Sequence, residues 1–236
     1  YSGSLLGLLW PLIIPLIFLI FYSLVQINVY KVKRPGLEVD QFVLMLFCGI
    51  TTIICAAETL MHGATFFKRN KTLVNNLIIP IEILSLQSSL VSFSMCLFSI
   101  PIAISVALLL GHGGVYLLFA PIILLLQFLF FSGLSWVISI IGTLVKDIQY
   151  LLRFIALALL IVSPVSYTVS MIPEPMEILV YSNPLSYFIF AYQSLLIFNQ
   201  APSLEIILIL FFMSNLVFIF GFLLFQSTKN TLIDMS

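Results

Sequence analysis

VYLLFAPIILLLQFLFFSGLSWVISIIGTLV, residues 115–145, contains no charged side chain. A helix needs roughly 20 apolar residues to cross a hydrocarbon core about 30 Å thick. This stretch therefore reads as a membrane-spanning helix. Its excess length predicts a tilt, a kink near Pro121, or projection beyond the lipid. Five comparable apolar runs flank it: Ser4–Val29, Gln41–Met61, Leu86–Leu110, Tyr150–Met171 and Leu204–Phe225. At about 1.5 Å per residue, each run is long enough to cross a bilayer. Hydrophobic residues make up 62% of the 236-residue chain and charged residues 8%, and the mean hydropathy is +1.24. A soluble domain so poor in charge cannot cover its own surface. The expected fold is one all-α integral membrane domain, residues 1–236, with six transmembrane helices.

The formal net charge is zero, so no basic excess argues for nucleic acid. Cys48, Cys55 and Cys96 all fall inside apolar runs, which suits core residues rather than a disulfide framework or a zinc site. The chain opens on Tyr1 and is apolar by Leu5, without the short apolar core and cleavage site of a signal peptide. The expectation is that a further segment precedes Tyr1.

The loops carry the orientation signal. With the N-terminus inside, the inner loops hold six basic residues, Lys68, Arg69, Lys71, Lys146, Arg153 and Lys229. The outer side then holds three, Lys31, Lys33 and Arg34. The excess predicts both termini inside. The longest inner loop, 62–85, reads as a short amphipathic helix from Lys68 to Leu77, stopped at Pro80. The outer segment, 172–203, mixes Pro173, Pro175, Pro184 and Pro202 with short apolar pieces. Those pieces predict re-entrant or interfacial helices forming an outer mouth, since non-helical backbone at membrane depth must be shielded by protein or line a cavity.

No G-x-x-x-x-G-K-[ST] loop is present to cradle nucleotide phosphates, and neither H-E-x-x-H nor a nucleophile elbow occurs. His62 and His112 fall on opposite sides of the predicted topology. The sequence therefore predicts no catalytic residue, no metal site and no cofactor on this chain. Glu58 and His62 share a helix face at i, i+4 near the inner end of the second run. They read as a structural pair, or as a polar contact at a channel entrance. Arg153 reads either as a cation snorkelling to the inner headgroups or as a phosphate ligand for a lipid-linked chain. Trp10, Tyr22, Trp136, Tyr167 and Tyr187 can stack on sugar rings, although aromatics also populate membrane interfaces as a matter of course. Ser132, Ser135 and Ser139, with Gly133, have the small-residue spacing of helix packing.

Four ordered blocks resemble the membrane subunit of ABC-2 type polysaccharide exporters, the carriers of O-antigen, teichoic acid and capsule-like polymers. The first is Gly3 to Pro11, with Pro15 after it. The second is Asn70-Lys71-Thr72-Leu73, leading into Ile79-Pro80-Ile81-Glu82-Ile83-Leu84. The third is Lys146-Asp147-Ile148, followed by Ser163-Pro164-Val165 and Met171-Ile172-Pro173. The fourth is Asn183-Pro184-Leu185, with Tyr192 behind it. Two positions depart from the pattern. Lys146 stands where the family usually has arginine, which keeps the charge and loses the planar fork, and Gln193 stands where it often has arginine.

The resemblance implies a homodimeric permease in the bacterial cytoplasmic (inner) membrane, docked on a cytoplasmic nucleotide-binding ATPase dimer that carries the ATP and Mg. It implies that Lys68, Arg69, Asn70, Lys71, Leu73, Pro80, Glu82, Lys146 and Asp147 couple to that ATPase. Trp10, Tyr22, Glu58, Trp136, Arg153 and Tyr167 would line the path of a lipid-linked polysaccharide. Pro164, Pro173, Asn183, Pro184 and Tyr187 would form the outer gate. It also implies an interface helix before Tyr1. The competing readings are a teichoic acid permease, a permease for drugs or small lipids, a membrane enzyme, and a channel that needs no ATP.

Overall fold

The computed structural model describes residues 7–29, 37–76, 80–145, 147–168, 172 and 174–235. The Lys31–Arg34 cluster, Lys146, Met171, Pro173 and the side chain of Leu73 lie outside the described residues. The described residues form helices joined by turns, with no strand among them.

The first span is α1 (Trp10–Leu24), preceded by a short 3-10 turn and continued by a π-helical turn over Val25–Val29. The second is α2 (Val39–Ala64), opened by a capping box in which the Glu38 and Gln41 side chains each meet the other's backbone. This helix is apolar nearly all round and buried along most of its length, so it is the central post of the bundle. Against it pack α1, the long helix α4 (Ile81–Leu109), α5 (Ala120–Leu144), α6 (Ile148–Val162) and α8 (Pro184–Leu196). A short surface helix, α3 (Phe66–Asn76), separates α2 from α4, and α7 (Glu174–Tyr181) precedes α8. The last element, α9 (Leu204–Met235), lies along α5.

Pro121 does not kink the fourth run. Val115–Phe119 form a 3-10 turn, and Pro121 sits in the first turn of α5, where its missing N–H has no helical partner to lose. The fifth run differs from the expected span. Among the described residues, five helices are long and apolar enough to cross a membrane, and the helix of this run is not one of them. Its helix, α6, ends at Val162 because Pro164 pushes the preceding Ser163 into an extended conformation, φ −71° and ψ 148°. The chain continues as bent, buried backbone over 163–168.

Glycines decide how closely the helices approach. A Cβ on Gly133 would lie 2.3 Å from the Val217 carbonyl oxygen, and one on Gly221 would lie 2.3 Å from the Gly133 oxygen. The backbones of α5 and α9 therefore touch, as small-residue interfaces allow in membranes. Ser132, Ser135 and Ser139 are buried on the same helix, so the small residues of α5 serve packing.

The bundle has two distinct ends. At one end lie α3, the starts of α4 and α6 and the last turns of α9. At the other, His112 Nε2 meets Asp40 Oδ2 at 2.8 Å and Gln41 Nε2 donates to the Ile197 carbonyl at 3.3 Å. Glu38 joins the His112–Asp40 pair, the three ligand-type atoms falling within 4.8 Å of one another. Such a juxtaposition is not announced by a sequence that separates Asp40 from His112 by 72 positions.

Candidate functional site

The α3 end is built around aromatic rings. Phe66 and Phe67 open α3 and are both buried, their centroids 5.1 Å apart in an edge-to-face pair. Phe67 stacks on Phe225 of α9 at 5.9 Å, and Trp136 of α5 closes the cluster 6.3 Å from Phe225. Leu232, from the part of α9 beyond the sixth apolar run, packs into the same cluster. At about 1.5 Å per residue, α9 is about 48 Å long, which exceeds a hydrocarbon core of about 30 Å. Its last turns therefore extend past the bundle and brace α3. Lys229 on those turns forms an ion pair with Glu82 in the first turn of α4.

Two of the expected site residues lie inside this chain. Trp136, expected on a substrate path, is 1% exposed and packs against Phe218, Phe222 and Phe225. Glu82, expected at a partner surface, is buried against Lys229 and acts as an internal brace.

Lys68, Arg69 and Lys71 are all exposed on α3. Arg69 and the partly buried Asn70 also line a pocket of about 270 Å³ together with His62, Leu84, Gln87, Ser88 and Val91. His62 is fixed at both ring nitrogens: Nδ1 meets Ser92 Oγ at 2.9 Å, and Nε2 meets Glu58 Oε2 at 3.2 Å. The i, i+4 pair read from the sequence is thus formed, and it also ties α2 to α4. Pro80 and Asp147 are exposed at this end, and Arg153 is exposed on α6 with its guanidinium 6.0 Å from the Tyr150 ring.

Phe225→Ala removes the ring at the centre of the aromatic cluster. A change of this kind costs about 3 kcal/mol or more. Amide hydrogen exchange over residues 66–71 should rise sharply, while that in the middle of α2 stays slow. Unchanged exchange in α3 would show that the cluster does not hold it.

The second assembly joins α6, the bent 163–168 segment and α8. Asn183 caps α8, its Oδ1 accepting from the Leu185 N–H at 3.0 Å, while its Nδ2 donates to Ser163 Oγ at 2.7 Å. Pro184 fills the first helical position. Gln193 Nε2 donates to the Pro164 carbonyl at 2.9 Å and to the Tyr167 carbonyl at 3.2 Å. Tyr167 OH donates to the Val162 carbonyl at 2.6 Å. The unwound backbone behind α6 thus finds its donors on side chains, as a water-poor interior demands. Tyr192 is fully buried and donates to Gln127 of α5 at 2.7 Å. Tyr187 is half-buried and donates to the Tyr181 carbonyl at 2.9 Å. Trp10 and Tyr22, on the first span, are partly exposed.

The sequence that folds in this way is similar to known proteins. Residues 1–197 match the ABC-2 type transporter family. The chain belongs to that family. As an ABC-2 protein it is membrane-embedded and is a transport subunit rather than an enzyme by kinship. It is similar to two O-antigen export system permease proteins RfbA of Klebsiella pneumoniae, 25% and 24% identical, each alignment covering 97% of this chain and 87% of the relative. It is also similar to the O-antigen export system permease protein RfbA of Myxococcus xanthus, 22% identical over 87% of this chain and 78% of the relative. Within this ABC-2 chain, the Lys229–Glu82 brace, the Phe66–Phe67–Phe225 cluster and the role of Gln193 were not read from the sequence. Each joins residues far apart in the chain.

Proposed function

We propose that this chain is the permease subunit of an ATP-driven exporter of lipid-linked polysaccharide such as O-antigen. Two copies pair in the bacterial inner membrane, with both termini inside. A cytoplasmic ATPase dimer carries ATP and Mg, and docks against α3 and the Lys146–Asp147 turn. The observation that carries this reading is the exposed Lys68–Lys71 face of α3, on a helix clamped from behind by buried rings. A docking helix has to be both charged on its free face and rigid on its anchored face, because a loose one would absorb the partner's motion. The names of the relatives support the polymer substrate. The apolar surfaces of α1, α6 and α9 suit burial by lipid and by a second copy. Segment 172–203 is the outer gate, with Pro164, Asn183, Pro184 and Tyr187 around it.

Affinity purification from native membranes in mild detergent tests the reading. The tagged protein should bring down a nucleotide-binding subunit with ATPase activity. Lys68→Glu with Lys71→Glu should reduce the recovered ATPase by about tenfold or more, as reversing rim charges across an interface does, while leaving the permease folded. A stable oligomer that never carries an ATPase in any detergent would defeat the exporter reading.

A further inference from the structure

The pocket beside α3 has a chemistry that docking to an ATPase does not use. Its lining brings together one guanidinium, one imidazole, two carboxamides and one hydroxyl, from Arg69, His62, Asn70, Gln87 and Ser88, with Leu84 and Val91 as apolar walls. At about 270 Å³ it is smaller than the ~300–1,000 Å³ of sites for whole drug-sized ligands, so it fits a headgroup. Among the described residues no carboxylate lies within 4.0 Å of the Arg69 guanidinium. Glu58 is held on the Nε2 edge of His62 and is not part of the lining. Glu82, the other acid near α3, is paired with Lys229. The cation in the lining is Arg69, which lies within electrostatic reach of Glu58 without a direct ion pair and whose planar fork matches phosphate oxygens.

The position on α4 selects the ligand class further. Gln87 is an exposed polar residue on a helix whose neighbouring exposed residues, Ile83, Leu90 and Val91, are apolar. The pocket opens where that apolar face meets the polar α3 end. A ligand there needs an anionic head for Arg69 and an apolar tail for α4. Basic pockets between membrane helices at the bilayer surface take lipid headgroups in this way.

We propose that the pocket formed by His62, Arg69, Asn70, Gln87 and Ser88 binds the phosphate-ester headgroup of a lipid, with the tail lying along the exposed face of α4. Its assignment to the inner leaflet rests on the topology proposed above, whereas its chemistry does not. Two lipid sources share this chemistry: an anionic phospholipid, and a polyprenyl pyrophosphate of the kind that carries a sugar chain.

The test is native mass spectrometry of the full-length protein, with any ATPase that co-purifies, released from phosphatidylcholine nanodiscs. The discs are doped with phosphatidylglycerol in one arm and with a polyprenyl pyrophosphate in another. A third arm adds inorganic pyrophosphate to undoped discs. The wild type should retain the doped lipid. Arg69→Ala and Gln87→Leu should each retain about tenfold less, the scale of one lost hydrogen bond to a charged group. Arg69→Lys should fall between, having the charge without the fork. Retention in both doped arms supports the proposal as a general anionic-lipid site, and retention of the polyprenyl compound alone supports it as a site for the transported lipid. Equal retention by the wild type and both variants overturns it. Inorganic pyrophosphate binding with no lipid retention also overturns it, leaving a free-anion site. If Arg69→Ala does not fold, Gln87→Leu, an exposed position, carries the comparison. The ATPase recovered in the same preparation reports on the exporter reading separately. Lipid retained without an ATPase would fail that reading and leave this one standing.

Discussion

Gly133→Ala will destabilise the protein severely, although alanine is the better helix former. The added methyl would sit 2.3 Å from the Val217 carbonyl oxygen and 2.6 Å from the Phe218 Cα, both of them backbone atoms that cannot rotate away. The helix-propensity gain of about 1 kcal/mol is set against an overpacking cost of about 3 kcal/mol or more. The expected outcome in detergent is a marked fall in thermal stability and in monodisperse yield. Gly221→Ala should behave alike, since its methyl would meet the Gly133 oxygen. The double variant should cost less than the two singles added together, because one separation of α5 from α9 relieves both clashes. Wild-type stability in either single variant would mean that the helices are not in backbone contact.

The second large effect is expected at Gln193. Gln193→Leu keeps roughly the same volume but removes the donor that the Pro164 and Tyr167 carbonyls share. Leaving buried carbonyls unsatisfied costs about 1–3 kcal/mol each. The 163–168 segment should then loosen, read as faster hydrogen exchange there and as lower thermal stability. Gln193→Arg separates the donor role from packing. It restores N–H groups at the position where related exporters often carry arginine, and it should recover much of the loss despite its larger size. A leucine variant as stable as the wild type, or an arginine variant worse than the leucine one, would refute the donor role.

Hydrophobic runs made the helices legible, because a bilayer leaves few alternatives for a charge-free stretch of this length. α2, α4, α5 and α9 all lie where apolar runs predicted them. Their ends were harder to read. α4 starts at Ile81, five positions before the run at Leu86, because the Glu82–Lys229 pair lets a polar turn remain helical. α9 continues to Met235 because Phe225 and Leu232 find partners on α3 and α5 rather than in lipid. The fifth run was misread in length because its composition stays apolar past Pro164, while the backbone there obeys proline geometry. At the candidate site, the charge of the 62–85 loop was visible and the pocket beside it was not. Lys68 and Arg69 are adjacent in sequence but about 100° apart around a helix, and only the fold brings the exposed Arg69 to the rim of a pocket shared with His62. Asn183-Pro184 could be recognised as a motif, and its tie to Ser163 became visible only once both segments were in place.

The contact between α5 and α9 also bears on how the chain matures. During synthesis α5 enters the membrane long before α9 exists, since α6, α7 and α8 are made in between. Until α9 arrives, the stripe around Ser132, Gly133 and Trp136 has only lipid or bound chaperones to face, and α3 lacks Phe225 behind it. A ribosome-stalled or truncated product ending before Leu204 would therefore carry α3 with no brace. Under the proposed function, partner binding would be withheld from chains that lack α9, so assembly with the ATPase would itself report that α9 is in place.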